Sequence, residues 1–558
     1  MKILFIAINA KYPHTNLAVR LLKNETDKIG LVSEFVEHTI NSDIVIVLDD
    51  LLSRLGDVYA FSCYIWNISY VLKLVTMIKK HDHEAKVLLG GPEISYDADK
   101  LFKEYKIVDY AILGEGEKAI KDFSKFLLNR QPIAHCASLV FRSDDKVIQN
   151  KIEIDNSFLD SQFPYEDINS LKDRVLYYEA SRGCPFSCEF CLSAIGEEYR
   201  EKPTLIVKRD LKEFIDRDVK IVKFVDRTFN TNKKRALELI RFIMQESKNT
   251  CFHLELAPSL LYDDLIKLLK TAKPGLFQLE LGIQSTNKQT LTAINRNEDF
   301  SEFAPKIKKI IGFRNMHVHV DLIAGLPYEG LIEFSRSFDD VFSLGSDNFQ
   351  LGFLKLLKGS PLRDKAKKYK ISFQKIAPYE FIKTPDLSKK DVVLIKEIEY
   401  LLKRYYNSAL FLNSVKFLAG KIGSAFNMFV LLNNFIKKNR LSPKDFSEQD
   451  LAKILNDFSA ENGIDGIKDF LLFESLKKKK RPKLEEYLFN KKRWDFKKKY
   501  FKEHSIEKKE GKSLLPVEFN IDILKFIDCG EVKIISHVLI FDYSDFEKGV
   551  LIYKPKHS

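Results

Sequence analysis

No apolar run among the 558 residues approaches the ~20 that span a bilayer, and the opening MKILFIAINAKYPH lacks the small-residue cleavage site of a secretory leader. The expectation is a cytoplasmic protein, in a reducing setting, with no membrane association. Internal repeats are also missing, which removes the solenoid and propeller architectures. Cysteine is scarce: seven residues, unevenly placed. In a reducing compartment, clustered cysteines more often bind metal or do redox chemistry than form disulfides. Outside the C-terminal third the charge is close to balanced, so it points to no partner there. Of the formal net charge of +12, 35 Lys+Arg against 25 Asp+Glu (+10) fall from Phe381 onward. The runs LKKKKRPK and KKRWDFKKKYFK carry much of that excess. They read as a nucleic-acid or acidic-partner contact, or as a solvated helical face.

Apolar material is plentiful, with 45% hydrophobic and 12% aromatic residues, and the length calls for about three domains of ~100–200 residues each. Residues 1–130 alternate strand patterns (KILFIAI, EFVEHTI, VYAFSCYI, KVLLGG, DYAILGEG) with helical ones (NLAVRLLKN, SYVLKLVTMIKK, KAIKDFSKFLL). That order predicts a doubly wound parallel sheet whose ligands sit beyond the carboxyl ends of the strands. Those ends read INAKYPHTN, SCYIWN, GGPEIS and LGEGE. Residues 131–175, with prolines and polar turns, read as a linker. From 176 to 360 the strand–helix rhythm returns for six units, which suggests a partial barrel. Residues 361–558 read as mainly helical, with one or two strands in the tail EVKIISHVLIFDY.

Within the barrel strands, alternation separates two faces. Phe252, Leu254 and Leu256 oppose His253 and Glu255; Phe277, Leu279 and Leu281 oppose Gln278, Glu280 and Gln284; Val318, Val320 and Leu322 oppose His317, His319 and Asp321. Helices outside the barrel require the apolar set to point outward, so the polar set lines the centre, as in a substrate cavity. The other reading is polar residues solvated on an open sheet. Glu255, His319 and Asp321 are the candidate catalytic residues, for substrate contact or proton transfer, with structural hydrogen bonding as the alternative.

SRGCPFSCEFCLS places Cys184, Cys188 and Cys191 on one short loop after a barrel strand. Three thiolates can hold three irons of a 4Fe–4S cube and leave the fourth iron open to a chelating ligand. A zinc site would need a fourth ligand, and the next histidine along the chain is His253. Incidental free thiols are the remaining alternative.

Segment 176–360 resembles the radical S-adenosylmethionine (SAM) enzymes, whose signature C-x-x-x-C-x-aromatic-C is matched by Cys184, Cys188, Phe190 and Cys191. The resemblance implies a 4Fe–4S cluster whose open iron binds SAM and whose reduction cleaves it to a 5′-deoxyadenosyl radical. VDRTFN then implies Asp226 as acceptor for the SAM amino group; ELGIQS implies ribose or methionine contacts from Glu280, Gln284 and Ser285; LIAGLP implies Ile323, Gly325 and Pro327 beside adenine. The N-terminal segment resembles the cobalamin-binding domains that precede many of these enzymes. GGPEIS and LGEGE stand where those domains bind the corrin and its nucleotide tail, which implies Gly90, Gly91, Glu93, Gly114, Glu115 and Gly116. Tyr64 and Trp66 are expected against the corrin or as a hydrophobic cap on the sheet. The cobalt-ligating D-x-H-x-x-G is absent, so cobalamin is expected without histidine ligation. His14 is a possible ligand, but a structural contact is the expected role. The whole chain is similar to a group with this cobalamin-type domain, this radical SAM core and a C-terminal domain of unknown function.

The implied fold class is α/β: a Rossmann-like, cobalamin-binding-type doubly wound sheet, a partial (β/α)6 radical SAM barrel and a basic, mainly helical C-terminal domain. The implied function is a cobalamin-dependent methyltransferase acting on an unactivated centre, served by a reductant such as flavodoxin or ferredoxin. Two alternatives stay open: a radical SAM enzyme performing a rearrangement, cyclisation or RNA modification, and a cobalamin or iron–sulfur sensor that grips nucleic acid. Cys63 is expected as a buried apolar residue, and Cys136, Cys251 and Cys529 as ordinary thiols.

Overall fold

The computed structural model describes residues 1–143, 146–194, 198–441, 446–478, 487–488, 491–504, 513–544 and 550–555. Compactness divides the chain near residue 390 rather than at 361: one unit holds 1–331, 344–346 and 350–389, the other 332–343, 347–349 and 390–558.

In the first unit, strands β1 (Lys2–Asn9), β2 (Val32–Thr39), β3 (Val58–Ser62), β4 (Lys86–Gly90) and β5 (Tyr110–Ile112) pair in parallel in the order β2-β1-β3-β4-β5. Both faces are covered, so β1 is apolar throughout. Leu4, Ile6 and Ile8 pack with Val71, Leu74 and Val75 of helix Ile68–His81, while Ile3, Phe5 and Ala7 pack with Ala119, Ile120 and Phe123 of helix Gly116–Leu127. Helix Ile44–Ser53 has no counterpart among the sequence patterns. Its Ile-Val run has strand composition, and the Asp43 side chain starts the helix by accepting from Val45 N at 2.8 Å.

The linker reading of 131–175 needs correction. β6 (Leu139–Ser143) and β7 (Lys146–Gln149) form an antiparallel hairpin that extends this sheet beyond β5. Leu139, Val140 and Phe141 are buried, and it is this short apolar run that joins the core.

The second sheet of the unit is built from β8 (Val175–Tyr178), β11 (Ile221–Phe224), β12 (Cys251–Leu256), β13 (Phe277–Gln284), β14 (His317–Ala324) and β15 (Asn348–Phe353), in the order β15-β14-β13-β12-β11-β8. It stays open, as a partial barrel must. The two-residue strands β9 (Ser181–Arg182) and β10 (Arg200–Glu201) pair antiparallel and bracket the cysteine loop. β16 (Ser372–Phe373) and β17 (Phe381–Lys383) make a small antiparallel pair. The apolar face of the barrel strands is fully buried, with Leu254, Leu279, Val318 and Val320 at 0% exposure.

The loop after β1 lies along the first barrel strand. His14 bridges Val175, and Val175 N donates to Pro13 O at 2.8 Å. Buried Arg20 pairs with Glu37 (3.2 Å) and Asp167 (2.6 Å) beside it. Strand order reverses between β1 and β3, the place where open parallel sheets bind ligands. Asn67, with no solvent exposure, shapes the loop after β3 there. Its amide donates to Ile8 O and Ser62 O (3.0 and 2.9 Å) and accepts from Tyr64 N (2.7 Å).

The second unit is mainly helical, as expected, around a stacked Phe417–Phe470 pair that Phe526 meets edge-on. It also contains a three-stranded antiparallel sheet of β18 (Leu514–Ile521), β19 (Ile534–Asp542) and β20 (Leu551–Tyr553). β18 is an edge strand, the one kind that tolerates an internal proline, here Pro516. Residues 479–483 of the first basic run lie outside the described residues. The second run forms helix Lys491–Glu503, which buries only Tyr500. Among the described residues no single helix is long and apolar enough to cross a membrane.

Replacing Asn67 by alanine strips two buried carbonyls of their donor and one N–H of its acceptor. A loss of about 2–3 kcal/mol is expected, read in a urea titration followed by circular dichroism.

Candidate functional site

The three thiols of the cysteine loop are half-buried. Burial pushes the Cys188 thiol up to about 11, against the nearby Arg296 cation, and Cys191 and Cys184 lie close enough to add to the rise. Cys191 N donates to Cys188 O at 3.0 Å. Gly183 enters the loop at φ 82°, where an added Cβ would lie 2.8 Å from Glu198 O, so glycine is required on two counts. Asn295 Nδ2 donates to Ser187 O at 3.1 Å, Leu362 N donates to Glu189 O at 2.8 Å, and Lys365 pairs with the Glu189 carboxylate at 2.7 Å. Thr228 Oγ1 sits 3.7 Å from Cys184 Sγ. Phe190, the aromatic of the signature, is half-buried beside Cys191. Among the described residues no three His, Cys, Asp or Glu groups converge as metal ligands. The fit to a cluster therefore lies in the donor chemistry: three thiols on one loop, within electrostatic reach of one another.

The root of this loop is Arg182. Its Nε and Nη2 grip Glu179 (3.0 and 2.7 Å), Nη1 reaches Glu115 (2.8 Å) and Glu117 (3.1 Å), and Nη2 also reaches Glu117 (2.7 Å). Arg200, across the β9–β10 pair, binds the other oxygen of Glu115, and the Phe158 ring lies 4.5 Å from the Arg182 guanidinium carbon.

Asp226 differs from the expectation. It is 2% exposed; its two oxygens accept from Ala180 N (2.9 Å) and Ser181 Oγ (2.5 Å), and burial pushes its carboxyl up to about 7 against those bonds. It holds the strand that leads into the cysteine loop and does not face the mouth. Ser285 is likewise closed, donating to Glu329 at 2.5 Å and accepting from Asn287 N at 3.0 Å. A Cβ on Gly325 (φ 95°) would meet the Phe381 ring at 2.5 Å, so that ring packs directly on the glycine. Pro327 offers its carbonyl to Thr290 at 3.0 Å, and Ile323 is half-buried on β14.

The barrel interior is polar and internally paired. Lys223 lies 3.0 Å from Glu280 and 3.5 Å from Glu255, and His253 Nε2 is 3.0 Å from Glu280. Burial would raise Glu280, but the His253 hydrogen bond and Lys223 outweigh it and hold the carboxylate at about 2. Burial, and then the Glu280 charge, raise Glu255. Burial, with His317 and His253, lowers His319 to about 4, which leaves its imidazole neutral. Burial, reinforced by Glu280 and Glu255, raises Asp321 well above the usual carboxylate range. In register, Asp321 faces Gly282 across β13–β14, and the Gln284 amide folds back to 2.4 Å from where a Gly282 Cβ would stand. Asp321 Oδ1 and Gln284 Oε1 are sealed from solvent with no hydrogen-bond partner among the described residues. Sealed acceptors are costly unless a ligand donates to them.

At the carboxyl ends of the N-terminal sheet, Tyr64 and Trp66 stack at 4.4 Å with planes 6° apart, and Trp66 is 45% exposed. Burial pushes the Tyr64 phenol up to about 12. Gly90 ends β4, and Gly91 (φ 105°) lets that turn approach Cys63 O, which an added Cβ would meet at 2.6 Å. A cavity of about 590 Å³ lies farther along, lined by Ser95, Tyr96, Asp97, Lys103, Leu113 and Ile152 and not by Tyr64, Trp66, Gly90 or Gly91. Gly114 N is bound by Ser95 Oγ at 3.0 Å, and Gly116 leaves no room for a Cβ against Leu22.

The two acidic residues of these turns are corrected. Glu93 is buried, accepting from Tyr379 OH at 2.7 Å with Lys358 3.5 Å away, and Glu115 is taken by Arg182 and Arg200. Both carboxylates are thus engaged by residues distant in sequence. His14 meets Tyr177 OH at 2.7 Å, the expected structural contact, and Cys63 is buried as expected. Arg182, Lys223 and Arg296 were missed in sequence. Arg296 donates to Gly282 O at 2.9 Å and to Glu298 at 2.6 Å beside Cys188. Only Arg182, next to the signature, had a local signal.

The B12 binding domain matches residues 3–124, the radical SAM superfamily 178–341, and a protein of unknown function, DUF4080, 367–549. The cobalamin-dependent radical SAM methyltransferase TokK of Streptomyces tokunonensis is 23% identical over 75% of this chain and 65% of its own length. The 2-(S-pantetheinyl)-carbapenam-3-carboxylate methyltransferase of Streptantibioticus cattleyicolor is 25% identical over 61% of this chain and 52% of its own. The alignments thus span under two thirds of both relatives. The structure of OxsB, a cobalamin-dependent SAM radical enzyme solved with aqua-cobalamin and SAM, shares the fold at TM-score 0.61 and 13% identity, covering 91% of this chain and 82% of its own.

The elevated Asp226 carboxyl makes stability pH-dependent. Between its ordinary 3.8 and about 7 the folded chain holds a proton that the unfolded chain releases. Stability is therefore lost as pH rises through that window. Asp226→Asn removes this contribution, and the melting temperature measured from pH 5 to 8 should fall less than in wild type.

Proposed function

We propose that this chain, which carries a B12-binding domain, a radical SAM domain and a DUF4080 domain, is a cobalamin-dependent radical SAM methyltransferase. Cys184, Cys188 and Cys191 would hold a 4Fe–4S cluster, reduced by a one-electron donor such as flavodoxin or ferredoxin. When bound, the cluster supplies the electron that cleaves the SAM sulfonium, and cobalamin carries a methyl group.

The observation that carries the reading is an incomplete hydrogen-bond set beside a three-thiol loop. Asp321 Oδ1 and Gln284 Oε1 are sealed acceptors on neighbouring strands, and Arg296 joins the carbonyl of Gly282, opposite Asp321, to the surroundings of Cys188. Two adjacent acceptors suit the two hydroxyls of a ribose. Glu255, half-buried on the inner face and bound only loosely to Lys223, is the carboxylate suited to an ammonium group, whereas Asp226 already accepts from Ala180 N and Ser181 Oγ. Arg296 adds positive charge suited to a carboxylate.

On the N-terminal side, the stacked Tyr64–Trp66 pair gives a flat, exposed face for a corrin at the switch point between β1 and β3. His14 is held by Tyr177, which favours cobalamin without histidine ligation. The neutral His319 can give or take a hydrogen bond with substrate, while Glu280, Lys223 and His253 satisfy one another and keep the chamber walls fixed.

Anoxic reconstitution with iron, sulfide and hydroxocobalamin tests this. Wild type should retain one cluster and cobalamin whose Co(II) resonance shows no nitrogen coupling, and should consume SAM under reduction. Cys188→Ala should lose the cluster. Asp321→Ala and Gln284→Ala should each weaken SAM binding about tenfold with iron content unchanged. A Cys188→Ala chain that keeps its cluster, or SAM binding unmoved in both acceptor variants, would sink the assignment.

A further inference from the structure

Glu115 and Glu117 belong to the N-terminal domain, yet neither is turned toward that domain's own ligand face. Together with Glu179 they consume every donor of Arg182: one bond from Nε and two from each Nη. A guanidinium has five N–H groups in a rigid fork, and here none is left over. Arg182 lies two residues before Cys184, with only Gly183 between, and that glycine is hemmed against Glu198 O. Any shift of the fork is passed directly to the first thiol.

The second strand of the bracket is tied in the same way. Arg200 binds Glu115 and donates to Asp155 O at 2.9 Å. The segment that carries the two glutamates is itself tied down: Gly114 N donates to Ser95 Oγ at 3.0 Å, Gly116 packs on the Leu22 side chain, and Glu117 lies in the first turn of helix Gly116–Leu127. The geometry is that of a template, in which this acidic segment holds both strands at the mouth of the cysteine loop.

We infer that the Gly114–Glu117 turn of the N-terminal domain is a positioning element for the cysteine loop, acting through Arg182 and Arg200, so that the N-terminal domain forms part of the site even before it binds anything. The inference rests on the preceding reading only in calling the loop a cluster site. Arg182 and the two glutamates touch no reacting atom; their role is to set where the three thiols stand.

Hydrogen–deuterium exchange on the full-length chain, without iron or cobalamin, tests this. In the E115Q/E117Q double variant, amides of 181–193 should exchange about tenfold faster than in wild type, while those of 251–256 on the neighbouring strand stay unchanged. R182K, with three donors in place of five, should behave alike and serves if the double variant fails to fold. After reconstitution and desalting, both variants should retain less iron than wild type. Unchanged exchange in 181–193 overturns the inference, and so does a rise shared with 251–256, which marks general loosening. A wild-type chain that retains no iron would instead remove the functional reading and leave the exchange result to decide this one.

Discussion

A buried guanidinium surrounded by three carboxylates tolerates almost no rearrangement. Each bond is charge-assisted, and each carboxylate left behind would be stranded away from water. Arg182 is in that position at the junction of two folds, with Glu179 on its own segment and Glu115 and Glu117 on the other. The cysteine loop, the β9–β10 bracket and the acidic turn are therefore one electrostatic object. Asp226 fixes the same segment from the barrel side through Ala180 and Ser181.

The chamber of the barrel divides its charges in a way that follows from this rigidity. Lys223, Glu280 and His253 neutralise one another within 3.0 Å contacts, so they cost little and move little. Around them stand groups that burial keeps in their uncharged forms, His319 among them. Within this chamber Asp321 Oδ1 and Gln284 Oε1 have no partner among the described residues, and a site for ligand donors is one place where such unpaired acceptors are expected.

The sheet patterns, the alternation of faces on β12, β13 and β14, and the three-thiol loop were legible because each depends on residues close in sequence. Periodicity is a local property, and C-x-x-x-C-x-x-C is a local spacing. What was not legible is where a motif residue is engaged by a distant partner. Glu93 is bound by Tyr379 and Lys358, Glu115 by Arg182 and Arg200, and the face of Gly325 is covered by Phe381. The hairpin β6–β7 was hidden for a related reason: a short apolar run next to turn residues reads as a linker until a sheet edge is there to receive it.

Most strands of the two parallel sheets, their order and the chemistry of the donor loop could be read from the sequence, because strand alternation and cysteine spacing are written within a dozen residues. Which carboxylates are tied into the scaffold emerged from the folded chain alone. A carboxylate's role depends on the cation or N–H that reaches it. For Asp226, Glu93 and Glu115 that partner comes from residues tens to hundreds of positions away, while Asp321 Oδ1 has none among the described residues.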